Sequence, residues 1–220
     1  MPMTMTPVRT SSVTQVEIPP QSDDPDHDIY YDIDALYPLS AELIIEDERW
    51  QQVKDIMPSI QKALTATYHK ASPDTSVPAD MTLVLHQDDF IHQLNRDYRQ
   101  KDKPTNVLSF HSYDRGEIDG VYQAAKAGGP PVMLGDVFLA FETCQVEAAE
   151  QGKSVHDHTL HLCVHGLLHL LGYDHVDGDE AEQMESLEVM ILSELGIADP
   201  YKTAEVTADS VQNAEGEKDV

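Results

Sequence analysis

The run His165-Gly166-Leu167-Leu168-His169-Leu170-Leu171-Gly172-Tyr173-Asp174-His175 constrains this chain more than any other stretch. Leu160, Leu162, Cys163, Val164, Leu167, Leu168, Leu170 and Leu171 make the surrounding helix apolar on nearly every side. Such a helix is buried. His165 and His169 are four residues apart and share one helix face, a single turn from each other. A buried polar group without a partner costs on the order of 1–3 kcal/mol, so two bare imidazoles make a poor core. One shared metal ion removes that cost. Gly172 is the residue type that most readily ends a helix in the left-handed conformation. The chain can turn there and bring His175 towards the open side of the pair. Three imidazoles with one open position make up a catalytic zinc site, so the spacing predicts His165, His169 and His175 as ligands of one Zn2+. His161 also stands four residues from His165 and is a rival ligand, but only the later pair is followed by a glycine turn and a third histidine.

The same spacing occurs in the metzincin proteases, whose pattern places Glu directly after the first histidine. Gly166 occupies that place here. The ligand geometry is kept and the general base is absent, which argues against peptide hydrolysis by the zincin route.

The run His-Gly-x-Leu-His-Leu-x-Gly-Tyr-Asp-His is similar to the signature of the YbeY family, bacterial metal-dependent endoribonucleases of ribosomal RNA processing. A second stretch, residues 94–110, resembles the family's other signature, and residues 96–103 within it hold four bases against two acids. A charge run of this kind is usually a solvated surface. The resemblance implies more, because it places at Arg99 an arginine important for RNA cleavage. His111 departs from the pattern, standing where family members commonly have Pro.

Composition bounds the partners. A formal charge of −26 argues against general affinity for nucleic acid. The acidic residues of the two ends account for only part of it, so an RNA substrate must be met by a local positive patch. DNA is not an expected partner. No stretch approaches the ~18 apolar residues of a membrane span, and the N-terminus lacks the apolar core of a signal peptide, so the cytoplasm is the expected compartment. Cys144 and Cys163 form no C-x-x-C and are expected to be small apolar core residues.

Hydrophobic period gives the rest. Residues 1–38 and 201–220 read as unstructured extensions, the first of them acidic. Between them, residues 39–200 read as a single α+β domain with about four strands in a mixed sheet. Strands are predicted at Leu43-Ile44-Ile45, Met81–Leu85, Val107–Phe110 and Val132–Ala140. Helices are predicted around Val53, Ile56, Met57, Ile60 and Leu64, from Asp88 to about Tyr98, through Cys144 and Val146, and from near Val155. Pro58 should kink the first helix or mark a restart, and Trp50 at its beginning reads as a core anchor. Residues 112–131, rich in Gly and Pro, read as a loop, either a mobile flap or a surface insertion. Asp136 is a possible acceptor for a ligand histidine, although an Asp at a strand start is more often structural. After the site, Asp179 with Glu182 resembles a helix N-cap. Met184, Leu187, Ile191 and Leu195 form the buried stripe of that helix, with Glu182, Glu185 and Glu188 facing solvent.

The resemblance implies a zinc-dependent endoribonuclease of single-stranded RNA, acting in ribosomal RNA maturation and quality control with the ribosome or its small subunit as partner. Two rivals use the same ligands. One is a zinc hydrolase of a small phosphoester or amide, and the other a non-catalytic ribosome-assembly factor with a structural zinc.

Overall fold

The computed structural model describes residues 14–15, 29–33, 38–175 and 177–202. In chain order, β1 (Thr14–Gln15), β2 (Ile29–Ile33) and β3 (Leu39–Ile45) are followed by α1 (Ile56–Ala71), β4 (Ala79–His86) and α2 (Asp88–Arg99). Next come β5 (Val107–His111), α3 (Ile118–Lys126), β6 (Val132–Ala140), α4 (Phe141–Glu150), α5 (Val155–Leu170) and α6 (Gly178–Glu194). One sheet has the order β1-β2-β3-β4-β6-β5. β3, β4 and β6 are parallel neighbours, and β5 runs antiparallel to β6 at the edge. These four strands are the expected mixed sheet. β2 pairs antiparallel with β3, and β1 with β2, so the stretch read as an unstructured extension contributes two short strands, while its other residues up to 37 lie outside the described ones.

Alternation along the strands sends side chains to two faces. On one face α1, α5 and α6 cover the main core, which includes Leu43, Leu83, Val137, Leu139, Ile60, Leu64 and Leu167. On the other, α2 covers a smaller core of Ile91, Leu108 and Ala140, flanked by Phe90, Leu94, Phe110 and Phe138. Trp50 is fully buried as expected, with its indole N–H donating to the His86 carbonyl at 3.2 Å and its ring edge-on to Phe141. Pro58 sits in the first turn of α1, where its missing N–H has no helical partner to lose. It marks a start, not a kink, and Val53 lies outside the helix.

Two expectations are corrected. Residues 112–131 are not all loop: α3 lies within them, and its Tyr122 is buried, donating to the Tyr68 hydroxyl at 3.1 Å. Asp179 does not cap α6. It lies in the first turn, after Asp177 at the cap position.

Two glycines fix how closely the layers approach. Gly135 has φ +127°, and a Cβ there would lie 2.1 Å from the Phe110 carbonyl oxygen. It sits where the β4–β6 register shifts between Asp80 and Met81. At Gly166 a Cβ would lie 2.6 Å from Val137 Cγ1 and 3.1 Å from Cγ2. Both methyls belong to a fully buried, stiff β-branched side chain. Overpacking of this kind costs about 1–3 kcal/mol, so Gly166→Ala should destabilise by that amount in urea unfolding. Combining it with Val137→Ala should cost less than the sum of the two single changes. Strict additivity would show that α5 has room to spare.

Candidate metal centre

α5 begins at Ser154, whose hydroxyl accepts the Asp157 N–H at 3.0 Å, a helix cap of the ordinary kind. Its end is built by two backbone hydrogen bonds. Gly172 N–H donates to His169 O at 2.9 Å and Tyr173 N–H to Leu168 O at 3.0 Å, with Gly172 at φ +91°. This is the paired closure of a Schellman motif, and it turns the chain as the sequence predicts. Arg115 pins the turn from outside, its Nε donating to Gly172 O at 2.9 Å and its guanidinium meeting Glu180 and Asp174. Asp174 in turn accepts the His175 N–H at 2.7 Å.

The three predicted histidines come together. One ring nitrogen from each of His165, His169 and His175 forms a set lying within 4.8 Å of one another. His165 Nδ1 lies 2.8 Å from Glu188 Oε1, and His169 Nδ1 lies 3.1 Å from the Tyr173 carbonyl. Both partners are acceptors, so both Nδ1 atoms carry the proton and both Nε2 atoms are bare lone pairs. Those two Nε2 atoms lie 3.0 Å apart. Two lone pairs at that distance repel unless a proton or a metal cation stands between them. Tetrahedral zinc, with Zn–N of about 2.0–2.1 Å, separates its nitrogens by roughly 3.3 Å, so the residues present fit the metal. Burial, helped by the neighbouring His165 and His175, lowers the His169 pKa to about 4, which keeps the ring neutral at pH 7 as a ligand must be.

Glu188 overturns its sequence reading. It is fully buried and not solvated. Oε1 takes His165, and Oε2 takes His161 Nε2 at 3.1 Å and the Tyr201 hydroxyl. Burial pushes its carboxyl pKa up, but the hydrogen bonds from His161, His165 and Tyr201 outweigh this and bring it to about 2. The missed signal lay in the helical period, because Glu188 stands four residues after Met184 and three before Ile191, both buried. A carboxylate on an apolar stripe has a partner or it is not there.

The other candidates resolve from the same contacts. His161 is turned to Glu188 and is not in the three-histidine set. His158 is buried against Glu147 at 2.9 Å, and His156 bridges Ser59 and Asp157. Asp136 is exposed on β6, and the acceptors for His165 and His169 are Glu188 and the Tyr173 carbonyl. Cys144 and Cys163 are both buried free thiols, and burial raises the pKa of each.

Arg99 closes α2, donating from Nη2 to the Ser109 carbonyl at 2.8 Å. Ser109 then donates its hydroxyl hydrogen to the Gly166 carbonyl at 3.3 Å. Two contacts thus join the guanidinium to the helix that carries His165. His111 is exposed at the end of β5, paired with Gly135.

An α+β domain that gathers one ring nitrogen from each of three histidines offers the donor set of a metal-dependent enzyme. Residues 44–196 match the family described as endoribonuclease YbeY. The chain is 46% identical over 167 residues to a protein named endoribonuclease YbeY from Erythrobacter litoralis, covering 74% of this chain and 98% of that one. Its namesake from Paramagnetospirillum magneticum is 54% identical over 122 residues, 56% of this chain and 71% of that one. The Agrobacterium fabrum protein of the same name is 40% identical over 168 residues, 74% and 95% of the two chains. The chain belongs to the YbeY endoribonuclease family.

Carboxylates that orient metal-bound histidines typically change affinity by about 10–100-fold when replaced. Glu188→Gln keeps the shape but removes the charge that faces His165. Zinc affinity, measured by competition with a chromophoric chelator, should fall within that range. An affinity within two-fold of the native chain would show that Glu188 only fills space.

Proposed function

We propose that this chain is a zinc-dependent endoribonuclease of single-stranded RNA, acting in the cytoplasm in ribosomal RNA maturation and ribosome quality control. Residues 39–200 would form its catalytic domain. The observation that carries the reading is the pair of bare Nε2 atoms, 3.0 Å apart on His165 and His169, in a family of endoribonucleases. His165, His169 and His175 would hold the zinc. When bound, the metal supplies a Lewis acid for the phosphodiester and lowers the pKa of water towards ~7.

The chain's own residues supply the rest. Gly166 leaves the metal without a neighbouring carboxylate base, so this site differs in kind from a zinc protease. Arg99 would grip a non-bridging phosphate oxygen and stabilise the charge that develops there. One of its five N–H donors is engaged by Ser109, which fixes the planar fork at the edge of the sheet and leaves the others for phosphate.

Single-turnover cleavage of one single-stranded RNA tests the reading. Metal-loaded protein should cleave, and chelated protein and His169→Ala should not. Chelation should also lower the melting temperature by several degrees, with zinc restoring it, because removal leaves the two lone pairs facing each other. Cleavage that survives verified metal removal would overturn the metal role.

The arginine is tested separately. Arg99→Lys keeps the charge and loses the fork, so cleavage should fall about ten-fold or more (about 1.4 kcal/mol or greater) with zinc content unchanged. Arg96→Lys and Lys101→Arg keep a diffuse field and should matter much less. Equal small losses in all three would mean that the cluster only attracts RNA.

A further inference from the structure

Tyr98 is the most exposed large hydrophobic side chain among the described residues, at 69%. A single exposed tyrosine calls for no explanation by itself. This one is held in a particular place. It precedes Arg99 at the end of α2, and both side chains lean on Phe110. The Tyr98 ring meets Phe110 at 5.5 Å and 74°, and the Arg99 Cζ lies 5.7 Å from the same ring. Phe110 is backed by Phe138 at 5.7 Å, and Phe138 by Phe90 at 6.2 Å. The exposed ring therefore rests on an aromatic layer, beside an anchored guanidinium.

The basic loop that follows is also built. Gln100 takes the left-handed conformation at φ 58°, and Lys101 N–H donates to Asn95 O at 3.2 Å. The Asn95 side chain, itself only 2% exposed, donates to Lys103 O at 2.7 Å. Lys101 and Lys103, three and five residues further along the chain, are exposed as well. An aromatic face set among cations that track a backbone is what sequence-tolerant single-strand binding needs.

We infer that Tyr98 is a stacking platform for an unpaired nucleobase of the RNA strand whose phosphate Arg99 holds. This rests on the endoribonuclease reading above and names a binding residue for it. Ser109 and Phe110 are consecutive on the edge strand, so their side chains point to opposite faces of the sheet. Ser109 faces α5, the helix that carries His165 and His169, and Phe110 faces α2. Arg99 joins the strand at its open edge between them. A strand gripped at that edge presents one phosphate to the histidine side and lays a neighbouring base on the Tyr98 side. Bases in a duplex are paired and stacked and cannot fold around an edge in this way. Tyr98 thus makes single-strandedness a condition of binding.

The test is equilibrium binding of a fluorescent single-stranded RNA to the full zinc-loaded chain carrying His169 intact, with the RNA 2′-hydroxyls blocked by methylation and binding read before any cleavage. Tyr98→Leu should raise Kd about ten-fold or more, the loss of one base–aromatic stack, and Tyr98→Phe should stay within two-fold. With an RNA of abasic nucleotides, native and Tyr98→Leu proteins should bind equally. Equal effects of Leu and Phe, or an undiminished Tyr98→Leu effect on abasic RNA, would overturn the stacking role while leaving the endoribonuclease reading standing. If the native chain binds and cleaves no RNA, that reading fails and the platform fails with it.

Discussion

The close seat of α5 on β6 is the constraint from which the site follows. Val137 crowds any Cβ at Gly166, so a larger side chain at the position after His165 would push α5 off the sheet. The helix is thereby drawn onto the sheet, and its neighbours His165 and His169 are set at a fixed height above the edge strand. Ligand orientation must then come from elsewhere. α6 supplies Glu188 for His165, and the Schellman turn supplies the Tyr173 carbonyl for His169. The two orienting groups differ in kind. The Tyr173 carbonyl is placed by the same turn that ends α5, so the end of the helix orients His169 with its own backbone. Glu188 is a charge in the core and persists only because three donors meet it there.

An acidic protein that handles a polyanion has to solve an electrostatic problem. The solution is local. Beyond a Debye length of about 8 Å exposed charges are largely screened in physiological salt, so a short basic stretch can act on phosphate while the bulk of the surface repels it. That requires the stretch to be held in one place. The buried Asn95 does this for the loop, and Ser109 does it for Arg99.

Much of this could be read before the structure, for reasons that differ by element. α5 was legible because apolar residues all round a helix admit no exposed alternative, and β4 and β6 because runs of β-branched and aliphatic residues are bounded by turn signals. The histidine cluster was legible because both the four-residue step and the glycine turn are local. What was hidden depended on distant partners. Glu188 looks like any surface acid until His161, His165 and Tyr201 are placed around it. α3 was hidden by the glycines within and around it, since Gly120 inside the helix and Gly116, Gly128 and Gly129 beside it outweigh the helical spacing of Ile118, Val121, Tyr122 and Ala125. β2 gains its place by pairing with β3, a non-local match that no periodicity within a five-residue strand can announce.

His175 poses the remaining question, because it is the exposed member of the cluster and sits beyond the helix that fixes the other two. A ligand on a loose segment would lose conformational entropy each time a metal bound, on the order of 1–2 kcal/mol for every backbone residue ordered. The structure meets much of that cost in advance. The Schellman closure fixes Gly172 and Tyr173, Asp174 holds the His175 N–H, and Arg115 ties the turn to the start of α6. Arg115 comes from the segment between β5 and α3, which sequence alone leaves without a role. That segment therefore supports the histidine cluster: it touches none of the three rings by hydrogen bond, yet it braces the turn that presents His175.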